Sequence, residues 1–355
     1  MAKKFRRIGI LTSGGDAPGM NAAIRSVTRA AISYGVEVVG IYRGYRGLID
    51  GDLKVFTARD VSNIINDGGT MLYSDRCLEF KTPEGMAKAV ATCEKYEIDG
   101  IVCIGGDGTF KGAIDLTRNG IPAIALPGTI DNDITSTDYT IGFDTAVNTT
   151  IEMVDRLRDT CESHARCNVV EVMGRNCGDI ALYAGIATGA TEILIPEINI
   201  DESKMIAKIM KYKKAGRRNF IIMVSEGLGS EYCESLTKKI ESETGIETKF
   251  ARLAHVVRGG SPTLRDRFLG ARMGVKAVEE LLAGNSNLVI CENDDQIVSL
   301  DIEIALALDK MYKGKLKDGD LDKFTPEQIE FMKARCLEAR NKVERLSKIA
   351  ETISK

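Results

Sequence analysis

Short β-branched runs alternate with segments of helical period along most of this chain, and glycines cluster where a run gives way to a helix. Ile8–Thr12, Val36–Tyr42, Gly100–Ile104 and Ala123–Leu126 predict strands, and Asn168–Met173, Glu192–Ile195, Phe220–Val224 and Leu288–Cys291 continue the pattern. Continuous apolar strands have no face to give to water, so they belong in parallel sheets covered by helices on both sides. An α/β fold of two doubly wound, mainly parallel-sheet lobes follows, in keeping with 355 residues. Thr82-Pro83-Glu84 marks one helix start. The capping box Thr325–Gln328 opens another, in a charged stretch with apolar Ile329, Met332, Cys336 and Leu337. It predicts a C-terminal helical extension of one or two amphipathic helices at the periphery.

Several function classes fall away early. Lys plus Arg number 48 against 51 Asp plus Glu, a net charge of -3, so there is no basic field for nucleic acid. No apolar run approaches the roughly 18 residues of a membrane span. The basic start, Met1–Arg7, leads only into Ile8–Leu11, too short for a secretory h-region. Nine cysteines without a CxxC pair indicate reduced thiols and a cytoplasmic location.

Three glycine loops follow predicted strands. Gly14-Gly15-Asp16-Ala17-Pro18-Gly19-Met20-Asn21 offers backbone N–H groups to an anion, or is simply a tight strand-to-helix turn. It is not a Walker A loop, because Met20-Asn21 stands where Lys-Ser/Thr is required. The second, Gly105-Gly106-Asp107-Gly108-Thr109-Phe110-Lys111-Gly112, resembles a dinucleotide fingerprint with its third glycine displaced. Asp107 would repel a bare pyrophosphate there, so a Mg²⁺ between carboxylate and polyphosphate is the reading that makes sense. In the third, Pro127–Asp133, an extended segment puts Asp131 and Asp133 on one face. One can hold a metal while the other takes a proton from a hydroxyl; the plain alternative is an Asx turn. Ligands of open α/β sheets bind at such strand ends.

These loops, the run Thr12–Arg25, the run Val170–Arg175 and the stretch His255–Pro262 together resemble the bacterial 6-phosphofructokinases, in order, from about Ile8 to about Gly319. The resemblance implies MgATP-dependent phosphorylation of the 1-hydroxyl of fructose 6-phosphate. It makes Asp131 the proton acceptor and Thr129 the neighbour holding the transferred group. Asp107 becomes the Mg²⁺ ligand, with Asp133 a second acid near the metal. Gly15, Arg76, Cys77, Gly106, Asp107, Gly108 and Thr109 fall on the ATP site. Thr129, Ile130, Asp131, Met173, Gly174, Arg175, Glu226, Lys249, His255 and Arg258 fall on the sugar-phosphate site, and Arg166 matches an arginine lent across a subunit boundary. A homotetramer is implied. So is a nucleotide lobe of residues 1–142 and 256–308, a sugar-phosphate lobe of 143–255 and 309–324, and the extension 325–355.

Glycine at 108 and 128 resembles the ATP users, since pyrophosphate users tend to carry Asp and Lys there. Glycine at 108 leaves room for the α-phosphate. The pyrophosphate-dependent enzyme is the nearest rival. Another ATP-dependent small-molecule kinase leaves Met173-Gly174-Arg175 unexplained, and a non-catalytic subunit leaves the intact acids unexplained. Arg25, Arg29, Arg158, Lys213, Lys214 and Arg217 match a site for an anionic allosteric effector. Ala58 and Thr191 depart from it, standing where an arginine and a glutamate are usual. Lys249 also departs: it keeps the charge of the usual arginine and loses its fork.

Overall fold

The computed structural model describes residues 5–229 and 231–354; most of the basic start, residues 1–4, lies outside them. Strands form in the order β1 (Arg7–Ser13), β2 (Glu37–Ile41), β3 (Leu53–Phe56), β4 (Gly100–Gly105), β5 (Ala123–Pro127), β6 (Cys167–Val172), β7 (Glu192–Leu194), β8 (Phe220–Ser225), β9 (Thr248–Arg252), β10 (Leu288–Asn293) and β11 (Gln296–Asp301). Helices form in the order α1 (Met20–Ser33), α2 (Tyr45–Asp50), α3 (Pro83–Lys95), α4 (Asp107–Arg118), α5 (Phe143–His164), α6 (Asp179–Ala187), α7 (Glu202–Lys214), α8 (Tyr232–Thr244), α9 (Leu264–Leu282), α10 (Ile302–Tyr312) and α11 (Pro326–Ile353). They fall into two units, each with its own sheet.

The first unit comprises the chain up to Ile130, then Ile134–Asp144 and Arg258–Leu337. Its seven-stranded sheet has the order β11-β10-β5-β4-β1-β2-β3. The five inner strands are parallel and both edges antiparallel. Every residue of β4 and β5 is buried, as their unbroken apolar sequences require. Because β2 and β4 lie on opposite sides of β1, the strand order reverses there. The register sets Ser13 against Gly105, and Gly105 against Pro127, so all three glycine loops leave one sheet end at the reversal.

Beneath them, Phe110, Tyr45, Phe80, Leu48 and Ile114 share a buried cluster. The Tyr45 and Phe80 rings stack at 4.1 Å, and the Tyr45 hydroxyl donates to the Thr109 carbonyl at 2.6 Å. Gly112 has a packing role here: a β-carbon there would lie 2.4 Å from the Tyr45 ring.

The second unit comprises Asp131–Asp133, Thr145–Val257 and the chain from Glu338 onward. Its four strands run β7-β8-β6-β9, all parallel. Val169, Phe220, Ile222 and Val224 pack with Ile209 of α7 and Ile240 of α8.

Three strands escaped the sequence reading, β3, β9 and β11, and each is a sheet edge. Residues 309–324 group with the first unit, whereas the sequence reading set them in the sugar-phosphate lobe. Leu308 of α10, Leu321 and Phe324 pack in one cluster with Met332 and Cys336 of α11. The predicted extension is thus one helix, and its first turns are core, not periphery. Further along α11, Lys342 lies over the Tyr183 ring and Glu351 pairs with Lys204 at 2.8 Å, both within the second unit.

Among the described residues no helix is long and apolar enough to cross a membrane, and all nine cysteines are free. Burial pushes the thiols of Cys93, Cys103 and Cys291 up to about 12. Cys77 and Cys177 are half-buried, with burial holding Cys177 well above the usual thiol range.

The packing at Gly112 is open to test. Gly112→Ala is expected to lower the urea midpoint, by roughly 1–3 kcal/mol of stability, through overpacking against Tyr45.

Candidate active site

In the first unit the second loop forms the start of α4. Thr109 donates from Oγ1 to the Ser13 carbonyl at 2.9 Å, tying the loop to the end of β1. A β-carbon at Gly106 or Gly108 would meet nothing within 4 Å, so open space lies over the helix N-terminus. Backbone N–H groups and the helix dipole favour an anion in such a place. Asp107 lines it with Oδ1 buried and lacking a hydrogen-bond partner in the protein. That orphaned oxygen fits a Mg²⁺ ligand. No group of three or more His, Cys, Asp or Glu able to hold a metal occurs among the described residues. Water and phosphate oxygens would therefore complete the coordination, as is usual for this ion.

Two groups that the sequence reading missed face Asp107 from α10. Lys313 Nζ stands 3.9 Å from Asp107 Oδ2. Asp309, one turn earlier and buried, accepts from the Thr135 N–H at 2.6 Å, while its other oxygen is buried without a partner. Burial pushes Asp309 up to about 8, Asp107 adds to the shift, and Lys313 opposes it. No sequence motif marks either residue, since α10 reads as an ordinary amphipathic helix.

The first loop is anchored by Asn21, the residue that departs from the Walker pattern. Its side chain donates to the carbonyls of Asp67 and Gly68 and accepts from the Met71 N–H at 2.7 Å. This fixes the segment that leads to Arg76, exposed, and Cys77, half-buried. Arg258 also joins this loop, donating to the Asp16 carbonyl at 3.2 Å beside Gly15.

The glycine at 128 has another reason than the one sequence suggested. A β-carbon there would lie 2.9 Å from Ile104 and 3.0 Å from Met20, so close packing disfavours a side chain. Thr129 follows with its N–H on the Ile141 carbonyl at 3.1 Å and its own carbonyl accepting from Thr140 Oγ1 at 2.6 Å. Ile130 is fully buried.

In the second unit, Asp131 pairs with Arg175 at 3.1 Å; the carboxylate side chain is 1% exposed and the guanidinium 55%. Arg175 has a left-handed backbone, φ 54°. Glu226 holds that turn: its Oε1 accepts from the N–H groups of Gly174 and Arg175 at 3.1 and 2.8 Å. The resemblance gave Glu226 to the sugar-phosphate site; one of its oxygens is engaged in bracing the loop. Asn132 donates to Asp179 at 2.7 Å, and Asp179 itself is pushed up by burial, with Lys342 opposing. Met173 and Asp133 are half-buried, and His255 is exposed on a short 3₁₀ turn.

Arg166 and Lys249 share an unanticipated carboxylate. Glu247 accepts from Arg166 Nε at 2.7 Å and lies 2.9 Å from Lys249 Nζ. The two cations hold it at about 2.

The residues matched to an effector site divide between the units. Arg25 and Arg29 belong to the first, with Arg29 donating to the Ala58 carbonyl at 3.3 Å. The second holds Arg158, Lys213, Lys214 and Arg217. Arg158 donates to Asn219 and to the Thr188 carbonyl, and Lys213 to the Thr244 carbonyl at 2.9 Å. Arg217 donates to the carbonyls of Asn219 and Ser354. Thr191 is buried and bonded to Ile221, while neighbouring Glu192 pairs with Lys208 at 3.0 Å. Neither stands as a free substitute for the usual glutamate.

An open strand-end loop carrying Asp107, and a buried, arginine-paired carboxylate, fit a phosphotransferase of the doubly wound class. The family is then settled by comparison: residues 7–281 match the phosphofructokinase family model, and the chain belongs to that family. It is 52% identical to the ATP-dependent 6-phosphofructokinase of Clostridioides difficile (strain 630), over 87% of this chain and 96% of that protein. It is 51% identical to ATP-dependent 6-phosphofructokinase 1 of Clostridium perfringens (strain 13 / Type A), over 88% and 97%. Among solved structures, phosphofructokinase from Saccharomyces cerevisiae matches with a TM-score of 0.83 and 34% identity, covering 93% of this chain and 50% of that longer one. The pyrophosphate-dependent phosphofructokinase of Marinobacter aquaeolei matches in fold, with a TM-score of 0.73 at 22% identity, over 84% and 83% of the two chains.

The Asp309 environment has a measurable pH signature. Its folded-state pKa is raised, so the folded protein holds a proton that the unfolded chain has lost, and ionisation of Asp309 costs stability as pH climbs from about 4 to about 8. Between pH 5 and pH 8 in EDTA, Asp309→Asn is expected to gain at least about 1 kcal/mol relative to the unsubstituted protein, read from urea unfolding.

Proposed function

We propose that this chain is an ATP-dependent 6-phosphofructokinase, transferring the γ-phosphoryl group of MgATP to the 1-hydroxyl of fructose 6-phosphate to give fructose 1,6-bisphosphate and ADP. The observation that carries the residue assignment is the buried Asp131–Arg175 pair on a loop braced by Glu226. A nearby cation favours the charged form of a buried carboxylate, and Arg175 supplies one. Asp131 accepts the hydroxyl proton as the sugar oxygen bonds to phosphorus and the β–γ bridge breaks, releasing ADP. Thr129 neighbours the transferred group. A loose transition state asks little early proton removal, so an aspartate base suffices. Arg175, its side chain half-exposed, also faces the charge that spreads over the transferred group. Mg²⁺, for which Asp107 is the proposed ligand and Asp133 a further candidate acid, would supply charge neutralisation on the phosphates.

Gly15, Arg76, Cys77 and Gly106–Thr109 bind the nucleotide in the first unit. Met173, Gly174, Arg175, Glu226, His255 and Arg258 are the residues assigned to the sugar phosphate. The open space at Gly108 supports ATP over pyrophosphate as donor. Arg166 and Lys249 bind the 6-phosphate of a neighbouring subunit's substrate in a homotetramer, and Glu247 keeps them together until then. The enzyme is cytoplasmic, and an anionic effector binds at Arg25 and Arg29 with a weakened response, since Arg158, Lys213 and Arg217 already have acceptors within the chain.

Coupled assays with each donor test the reaction: turnover is expected with MgATP and not with pyrophosphate. Asp131→Asn is expected to lower kcat by about 10²–10⁴-fold with the KM for MgATP little changed. An unaltered rate in Asp131→Ala would remove the proposed base.

A further inference from the structure

Asn132 stands between the proposed base Asp131 and the second acid Asp133, and its backbone is left-handed, φ 51°. Asparagine tolerates that conformation better than most residues but does not adopt it unaided, so the turn depends on what holds it. Its side-chain amide donates to Asp179 Oδ2 at 2.7 Å, and the Cys177 thiol lies 3.9 Å from its carbonyl. Arg175 pairs with Asp131 at 3.1 Å, so residues 175–179 meet the acidic turn at three points in close succession.

That short run is itself fixed within the second unit. Glu226 braces Gly174 and Arg175, Glu197 Oε1 accepts from the Gly178 N–H at 2.8 Å, and Ser225 Oγ donates to the Cys177 carbonyl at 3.3 Å. A β-carbon at Gly178 would lie 2.5 Å from Ile195, so the backbone just ahead of α6 is tightly packed. Asp179 opens α6, where the helix dipole favours a carboxylate, but an acid serving the helix alone has no need to leave water. Asp179 is buried all the same, and burial pushes its carboxyl up against the opposing effects of Lys342 and the Asn132 bond. The bond to Asn132 gives that burial a purpose, because a carboxylate acceptor holds an amide more firmly than a neutral one does.

We infer that Asp179 is a positioning residue for phosphoryl transfer: by holding Asn132 it fixes the turn that sets Asp131 against Arg175. The inference rests on the assignment of Asp131 as the base, and the action of Asp179 runs through Asn132. Placement at this level matters, since about 1 Å of displacement at a reacting group can cost on the order of 10²-fold in rate.

Steady-state kinetics of the full chain with MgATP and fructose 6-phosphate, with thermal unfolding of each variant, provide the test. Asp179→Ala is expected to lower kcat by about 10–100-fold and to leave the KM for MgATP within about twofold. Asp179→Asn, whose amide oxygen can still accept from Asn132, should recover most of that loss. Asn132→Gly keeps the left-handed backbone and removes the side-chain bond alone, so it should reproduce the defect without disturbing a buried position. In the double variant the two losses should not multiply, leaving kcat within about twofold of either single variant. Unchanged kcat in well-folded Asp179→Ala and Asn132→Gly overturns the inference. Losses that multiply, or an Asp179→Asn as slow as Asp179→Ala, also overturn it, since either marks an effect independent of the bond. A full rate in Asp131→Asn overturns the base assignment and this role together, which distinguishes the two failures.

Discussion

An ionised carboxylate shut away from water needs a cation close by, and Asp131 with Arg175 is the instance on which the proposed chemistry depends. Arg175 is not placed by a regular element. It sits in a left-handed turn after β6, and two backbone N–H groups of that turn converge on Glu226, which β8 delivers. The parallel pairing of β6 with β8, Val172 opposite Ser225, sets both ends of the brace at one level. Sheet register thus becomes side-chain position, and side-chain position sets the pairing of Asp131 with Arg175.

The first unit solves a related problem by other means. There the proposed anion site consists of backbone N–H groups and open space, and what must be supplied is countercharge. Asp107 alone would oppose a polyphosphate, so the proposed site needs a divalent ion beside it. Rigid support comes from below, where Tyr45 packs against Gly112 and bonds Thr109, and from the side, where Thr109 bonds Ser13.

How much of this was legible in the sequence depended on burial. Strands β4, β5 and β8, and the centre of β1, announce themselves as apolar runs because both faces are covered, and β6 follows them although it carries Asn168 and Glu171. β3, β9 and β11 are edges, mostly half-exposed, and their mixed polar residues read as loop. The glycine loops were visible because tight turns restrict residue choice. Asp309, Lys313 and Glu247 were not, because each meets its partner through tertiary packing or a strand edge that no local spacing encodes. The resemblance placed the matched residues, but not the second employment of Glu226 or the packing reason for Gly128. It also left residues 309–324 in the other lobe, since a short amphipathic helix carries no mark of which core it joins.

The distribution of thiols has a practical consequence. Seven cysteines are buried, and the half-buried Cys177 is held protonated by its surroundings, so at neutral pH a maleimide meets Cys77 first. A fluorophore attached there would sit beside the proposed ATP loop without any engineered residue, and nucleotide occupancy would be read as a change in emission.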